Sequence, residues 1–230
     1  MLLAYATMMG ALLLALNGFV READAKSAKT RAFPVALVHF EQNASDGDVE
    51  VVFEVKGQAD GLAKLKVVSP DGRTVIDFTA PDSSTLGMRQ FRFESPEPKD
   101  VKALKAAYPE GTYRFTGRSL SGATLVGEST LSHKLPAPVK FRKPAPNAKN
   151  VPIRNINISW SAVTGVAFYI LEIEQEELET KIEATLPGSS TSFAMPNGFL
   201  MPGREYHLGI ATVTAEGNVS VVETSFTTKK

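Results

Sequence analysis

The sequence predicts an all-β protein: two tandem β-sandwiches behind an N-terminal apolar helix. Three observations predict it. From Pro34 onward, short runs of alternating apolar residues are separated by glycine, proline, aspartate and asparagine, at the spacing of about 8–12 residues typical of sandwich strands. A proline-rich stretch, Leu135-Pro136-Ala137-Pro138 and then Pro144-Ala145-Pro146-Asn147, interrupts the pattern near the middle of the chain, because proline fixes φ and extends the residue before it. The 230 residues contain no cysteine, so neither disulfides nor thiolate metal sites shape the fold.

The apolar helix is Met1 to Val20, an uncharged stretch that ends abruptly at Arg21. Its layout is that of a secretory signal, with Ala23-Asp24-Ala25 offering a small-x-small cleavage pattern, so residues 1–25 are expected to be a signal peptide. No lysine or arginine precedes Arg21, so either the start lies upstream or the amino terminus supplies the positive charge. The alternative is an uncleaved membrane anchor, for which Thr7, Asn17 and two glycines make a mediocre span. The expected location is therefore periplasmic or extracellular, with membrane anchoring as the alternative.

Residues 32–137 are expected to form the first sandwich. Its strands are read at Val35–Phe40, Val49–Val55, Leu62–Val68, Thr74–Phe78, Arg89–Phe93, Tyr113–Phe115 and Ala123–Val126. Pro70-Asp71-Gly72 supplies one hairpin turn, and Lys99–Ala107, with Val101, Leu104 and Tyr108 on one face, reads as the single helix. Pro109-Glu110-Gly111-Thr112-Tyr113 brings Tyr113 in after a turn, where its hydroxyl can close a corner between sheets. This half is similar to an immunoglobulin-type sandwich through that corner, without the paired cysteines or core tryptophan.

Residues 138–230 are expected to form the second sandwich. Trp160, the only tryptophan, lies in an early strand, Asn157-Ile158-Ser159-Trp160. Phe168–Ile173 follows with Tyr169, Leu171 and Ile173 on one face, and Leu200-Met201-Pro202-Gly203-Arg204-Glu205-Tyr206 leads into His207–Val213. Over roughly residues 138–229 this order resembles a fibronectin type III domain: strand-B tryptophan, strand-C tyrosine, then a leucine–proline–tyrosine corner of Leu200, Pro202 and Tyr206. Taken whole, the chain resembles exported bacterial proteins that end in such a domain. That resemblance implies binding, spacing or adhesion more often than catalysis, and it carries over no ligand residue.

The search for chemistry supports the same expectation. Lysine plus arginine equals aspartate plus glutamate, 25 against 25, so no global field selects nucleic acid. His39, His133 and His207 are too scattered for a histidine-rich metal motif. Gly117-Arg118-Ser119-Leu120-Ser121-Gly122 lies in a hairpin rather than the strand-to-helix turn that a nucleophile elbow needs, and His133 has no neighbouring carboxylate in sequence to orient it. Arg92 alternates with Phe91 and Phe93, which reads as core packing rather than a stacking platform.

Glu41, Asp46, Asp48 and Glu50 crowd one loop, where Asp46, Asp48 and Glu50 are the candidates for calcium. A solvated acidic turn is the preferred reading, and no cofactor is expected. Glu172, Glu174, Glu176, Glu177 and Glu179 form an acidic ridge, either a surface for a basic partner or the outward charge that protects a sheet edge. The expected function is a non-catalytic protein-binding or scaffold module of the bacterial envelope. Its partner would be another envelope protein; the alternative is a glycan or cell-wall-binding module, which would use aromatic platforms.

Overall fold

The computed structural model describes residues 30–81 and 87–230. The segment expected to be a signal peptide or anchor lies outside them. No helix among the described residues is long and apolar enough to cross a membrane. The chain divides into an N-terminal unit, residues 30–41 and 49–134, and a C-terminal unit, residues 42–48 and 135–230. The expected boundary stood at 137/138; the units part at 134/135, just before the prolines.

The N-terminal unit runs through β1 (Thr30–Ala32), β2 (Val35–Asn43), β3 (Asp48–Lys56), β4 (Leu62–Val68), β5 (Thr74–Thr79) and β6 (Gln90–Glu94). It then continues as α1 (Val101–Ala107), β7 (Gly111–Ser119) and β8 (Thr124–Leu131). One layer has the order β1-β8-β7-β4-β5, with β1 parallel to β8; the other pairs β2, β3 and β6. Alternation sorts the side chains. On β4, Leu65 and Val67 are buried while Lys64 and Lys66 are exposed. Phe53 meets Tyr113 edge-on at 5.7 Å, and Phe91 meets Phe78 at 4.8 Å and stacks on Phe93 at 5.5 Å, so aromatic rings fill the space between the layers.

Two turns show why the chain changes direction where it does. Gly72, at φ 85°, completes the β4–β5 turn, where Ser69 N–H donates to the Arg73 carbonyl at 2.9 Å. The helix begins two residues later than the sequence suggests because the Asp100 side chain accepts from Lys102 N–H at 2.9 Å and so caps α1. Pro109, which has no N–H to give, follows its last turn.

Phe33 is 7% exposed and sits where two strands carry glycine. A Cβ on Gly117 would lie 2.8 Å from Phe33 Cζ and 2.9 Å from the Lys64 carbonyl, and one on Gly127 would lie 2.8 Å from Ala36 Cβ. Gly117→Ala is therefore expected to cost about 1–3 kcal/mol by overpacking. Urea unfolding of the variant checks it, and an unchanged midpoint would show that Phe33 is free to move away.

The C-terminal unit contains β9 (Phe141–Lys143), β10 (Ala148–Val151), β11 (Asn157–Trp160), β12 (Phe168–Gln175), β13 (Thr180–Pro187), β14 (Ser192–Ala194), β15 (Glu205–Val213) and β16 (Val219–Thr228). Three strands, β14-β11-β9, form one sheet. The other runs β13-β12-β15-β16, with β10 added in parallel along β16. Between the sheets lie Trp160, Tyr169, Leu171, Ile173, Leu200 and Tyr206, all buried. The segment 42–48, the tip of the β2–β3 hairpin, belongs to this unit. Ala44 N–H donates to the Val221 carbonyl at 2.8 Å, and the Ser45 hydroxyl accepts from Glu223 N–H at 2.7 Å.

Candidate functional site

Of the residues expected to be structural, Trp160, Tyr169, Leu200, Tyr206 and Tyr113 are buried in the two units and Pro202 is exposed in a turn. Trp160 is fully buried and meets Tyr169 edge-on at 5.6 Å; the Tyr169 hydroxyl accepts from Val163 N–H at 3.2 Å. The Tyr206 hydroxyl accepts from Met201 N–H at 2.8 Å and donates to the Phe199 carbonyl at 3.3 Å, which fastens the turn containing Leu200 and Pro202. Tyr113 makes the corresponding bond in the N-terminal unit, to the Pro109 carbonyl at 3.1 Å. Burial, followed by the nearby Asp71 carboxylate, pushes its pKa up to about 12. Tyr206→Phe removes both corner bonds and is expected to cost about 1–2 kcal/mol, measured by urea unfolding. A cost near zero would mean that packing alone holds the corner.

The groups that could have done chemistry hold local structure. Ser119 and Ser121 place their hydroxyls 2.9 Å apart, and Ser119 Oγ accepts from Ala123 N–H at 3.2 Å within the β7–β8 turn. The His133 ring faces the Tyr108 carbonyl at 2.8 Å and packs on Phe40 at 5.2 Å. Its backbone N–H donates to Glu110 at 2.6 Å.

The first acidic loop is a hairpin turn. Asp46 Oδ1 accepts from Asp48 N–H at 3.0 Å, and Gly47, at φ 86°, makes the turn. Glu41 lies in β2 and is buried. Among the described residues, no three acidic or histidine side chains converge as metal ligands, so Asp46, Asp48 and Glu50 are not brought together.

Glu41 instead belongs to a buried charge network that the sequence reading missed. His39 Nε2 lies 3.1 Å from Glu41 Oε2, which in turn lies 3.5 Å from Arg92. Arg92 donates to Glu54 at 2.9 Å and to Glu94 at 2.5 Å. The five residues share one face of β2, β3 and β6 because Glu54 stands opposite Arg92 in the register. Burial drives the Glu54 carboxyl above its ordinary range against the opposing pull of His39 and Arg92. A carboxyl raised in the folded state binds a proton more readily there than in the unfolded chain. Stability through Glu54 therefore rises as pH falls through its folded pKa toward the ordinary carboxylate value. Glu54→Gln is expected to raise the melting temperature relative to the parent at pH 7–8, with the difference closing near about pH 4.5. A pH-independent difference would show that the Glu54 charge costs nothing.

The acidic ridge is split by its partners. Glu172 on β12 is buried with Lys181 Nζ at 2.5 Å, and Lys181 also reaches Glu183 at 3.6 Å. Glu176 and Glu177 lie in a single 3-10 turn, Glu176–Leu178. Gln175 fixes this turn by accepting from Leu178 N–H at 2.6 Å, and Glu179 ends it in the left-handed region at φ 48°. Glu177 pairs with Arg204, and Glu176 lies 3.8 Å from His207. The Glu177–Arg204 pair joins this turn to the Tyr206 corner. Each piece presents one large apolar side chain: Leu178 is 41% exposed and Met201 48% exposed. Leu178 and Met201 are thus exposed apolar side chains on the two loops that this pair joins, and Glu176, Glu177, Arg204 and Glu205 are exposed on the same loops.

No family model and no curated relative matches the chain. Solved fibronectin type III structures do. The chain is 12% identical to the FN1–FN3 domains of chicken CNTN1 at TM-score 0.37, with 88% of this chain and 65% of that one covered. It therefore spans slightly less than two thirds of that structure. A two-domain fibronectin type III segment of chicken tenascin matches at 15% identity and TM-score 0.33, covering 84% of this chain and 98% of that one. The fibronectin(III)-like modules of Clostridium thermocellum CbhA match at 12% and 0.34, covering 85% and 91%.

Proposed function

We propose that the chain is a non-catalytic protein-binding or scaffold module of the bacterial cell envelope, and that its partner is another envelope protein. The observation that carries this reading is the exposure of two large apolar side chains, Leu178 and Met201, on loops joined by the Glu177–Arg204 pair. Recognition surfaces concentrate affinity in a few apolar anchors shielded by a polar rim, and loops held by a rigid sandwich lose little freedom on binding. The surrounding glutamates favour a partner whose own rim is basic. The structural bonds of Ser119, Ser121 and His133 support a non-catalytic role, since each group is already engaged in holding a turn or strand end. A neutral glycan stacked on aromatic rings is less well supported, because Trp160, Tyr113, Tyr169 and Tyr206 are all fully buried.

The test is affinity capture from envelope extract with the full chain, beside Leu178→Ser/Met201→Ser. A protein retained by the parent and lost by the double variant supports the reading. Capture that is indifferent to both substitutions removes this surface from it, and reproducible absence of any captured protein overturns it.

A further inference from the structure

The outward face of the β1-β8-β7-β4-β5 layer carries a pattern that folding alone does not favour. Its exposed residues include Lys64 and Lys66 on β4, Asp77 and Thr79 on β5, Arg114, Thr116 and Arg118 on β7, Thr124, Val126, Glu128 and Thr130 on β8, and Thr30 and Ala32 on β1. Four are basic and two acidic, a local excess of two positive charges in a chain whose charges balance overall. Lys64 stands directly across from Arg118 in the register. Like charges directly opposite on antiparallel strands destabilise a sheet.

Neighbouring residues do not relieve the pair. The other cross-strand neighbours of Lys64 and Arg118 are Thr79 and Thr124, which are neutral. Lys66, two residues along the same strand, stands opposite Asp77 and Thr116. Arg114 is the one base with a carboxylate in place, Glu128 at 3.3 Å. Among the described residues, Lys64, Lys66 and Arg118 have no ion pair within 4.0 Å. Lys64, Lys66 and Arg118 thus share one exposed sheet face without an ion pair, with Thr79, Thr116 and Thr124 as cross-strand neighbours and Asp77 opposite Lys66.

We infer that this face binds an acidic polysaccharide. Its repeating anionic groups lie against Lys64, Lys66 and Arg118, and Thr79, Thr116 and Thr124 meet its hydroxyls. Charge complementarity selects an anionic occupant, and the threonines suit sugar hydroxyls. None of these residues is aromatic, so the face lacks the stacking platforms that single-stranded nucleic acid uses. A sulfated and a carboxylated polysaccharide share the chemistry required. The site lies in the other unit from Leu178 and Met201, and it stands or falls separately from the protein-binding reading.

The experiment passes the full chain over immobilised heparin and immobilised polygalacturonate at about 0.15 M salt, with dextran, polyglutamate and single-stranded DNA in parallel. Retention on either acidic polysaccharide, but not on dextran, is the expected result; which of the two binds more tightly identifies the anionic group. Lys64→Ser/Lys66→Ser/Arg118→Ser is expected to weaken that binding by on the order of tenfold to a hundredfold, since cation contacts with a polyanion act together. Its melting temperature should hold or rise, because the like-charge repulsion is gone. Lys140→Ser/Arg142→Ser/Lys149→Ser removes the same charge from the other unit and should leave retention unchanged. Passage of the parent through both acidic columns overturns the inference. So does a triple variant retained like the parent, or polyglutamate or DNA held as tightly as the polysaccharides.

Discussion

Arg92→Ala is expected to lower the stability of the N-terminal unit by about 3–5 kcal/mol, the range for removing one partner from a buried ion pair. Arg92 donates to Glu54 at 2.9 Å and to Glu94 at 2.5 Å and lies 3.5 Å from Glu41. The Glu54 side chain is only 2% exposed and that of Glu41 9%, so neither carboxylate can recover the lost partner from water. The sign with pH follows. Without Arg92 the Glu54 carboxyl is pushed up further in the folded state, so its part of the loss is full at neutral pH and shrinks as acid protonates it. Urea unfolding followed by circular dichroism at pH 7 and again near about pH 4.5 reads both effects. A loss under about 1 kcal/mol at neutral pH would place these charges with ordinary surface pairs.

Trp160→Ala is expected to cost the C-terminal unit a comparable amount, about 3–5 kcal/mol, through lost burial and the cavity left behind. The ring is fully buried against Tyr169 and shares its core with Leu171, Leu200, Tyr206 and Phe226. Its indole nitrogen is buried with no hydrogen-bond partner among the described residues, so part of the side chain already opposes folding. Trp160→Phe should therefore lose clearly less than the alanine variant, since it also removes the unsatisfied N–H. Amide exchange resolved by residue separates this unit from the other. Equal losses for the two variants would mean that the nitrogen is satisfied by solvent.

Much of the fold is legible in the sequence because alternation is strong wherever one face of a strand meets a core. Leu65 and Val67 against Lys64 and Lys66, or Phe91 and Phe93 against Arg92, give the face as well as the strand. β13 was missed although Ile182, Ala184 and Leu186 alternate, because the charges from Glu172 to Glu183 suggest a solvated loop. β1, β9 and β10 have only three or four residues each, too few for a period to show. Neither the basic sheet face nor the buried charge network could be read from the sequence. Lys64 and Arg118 are distant in the chain and meet only through strand register, and His39, Glu41, Glu54 and Arg92 converge from three strands. Glu41 looked like part of an acidic loop because proximity in sequence is visible and burial is not.

The hairpin tip 42–48 sets an order on synthesis. Gln42 donates to the Ser220 hydroxyl across 178 positions, and Asn43 donates to Glu223 across 180. A ribosome releases the tip early and its partners very late, so the tip must wait through most of translation. The C-terminal unit can close only after β16 has emerged, and contacts this distant in sequence slow folding through the entropy of loop closure. A C-terminal fragment starting at residue 135 would leave β16 without Ala44 and Ser45. Supplying residues 42–48 as a separate peptide should restore what the cut removes, as a strand added in trans.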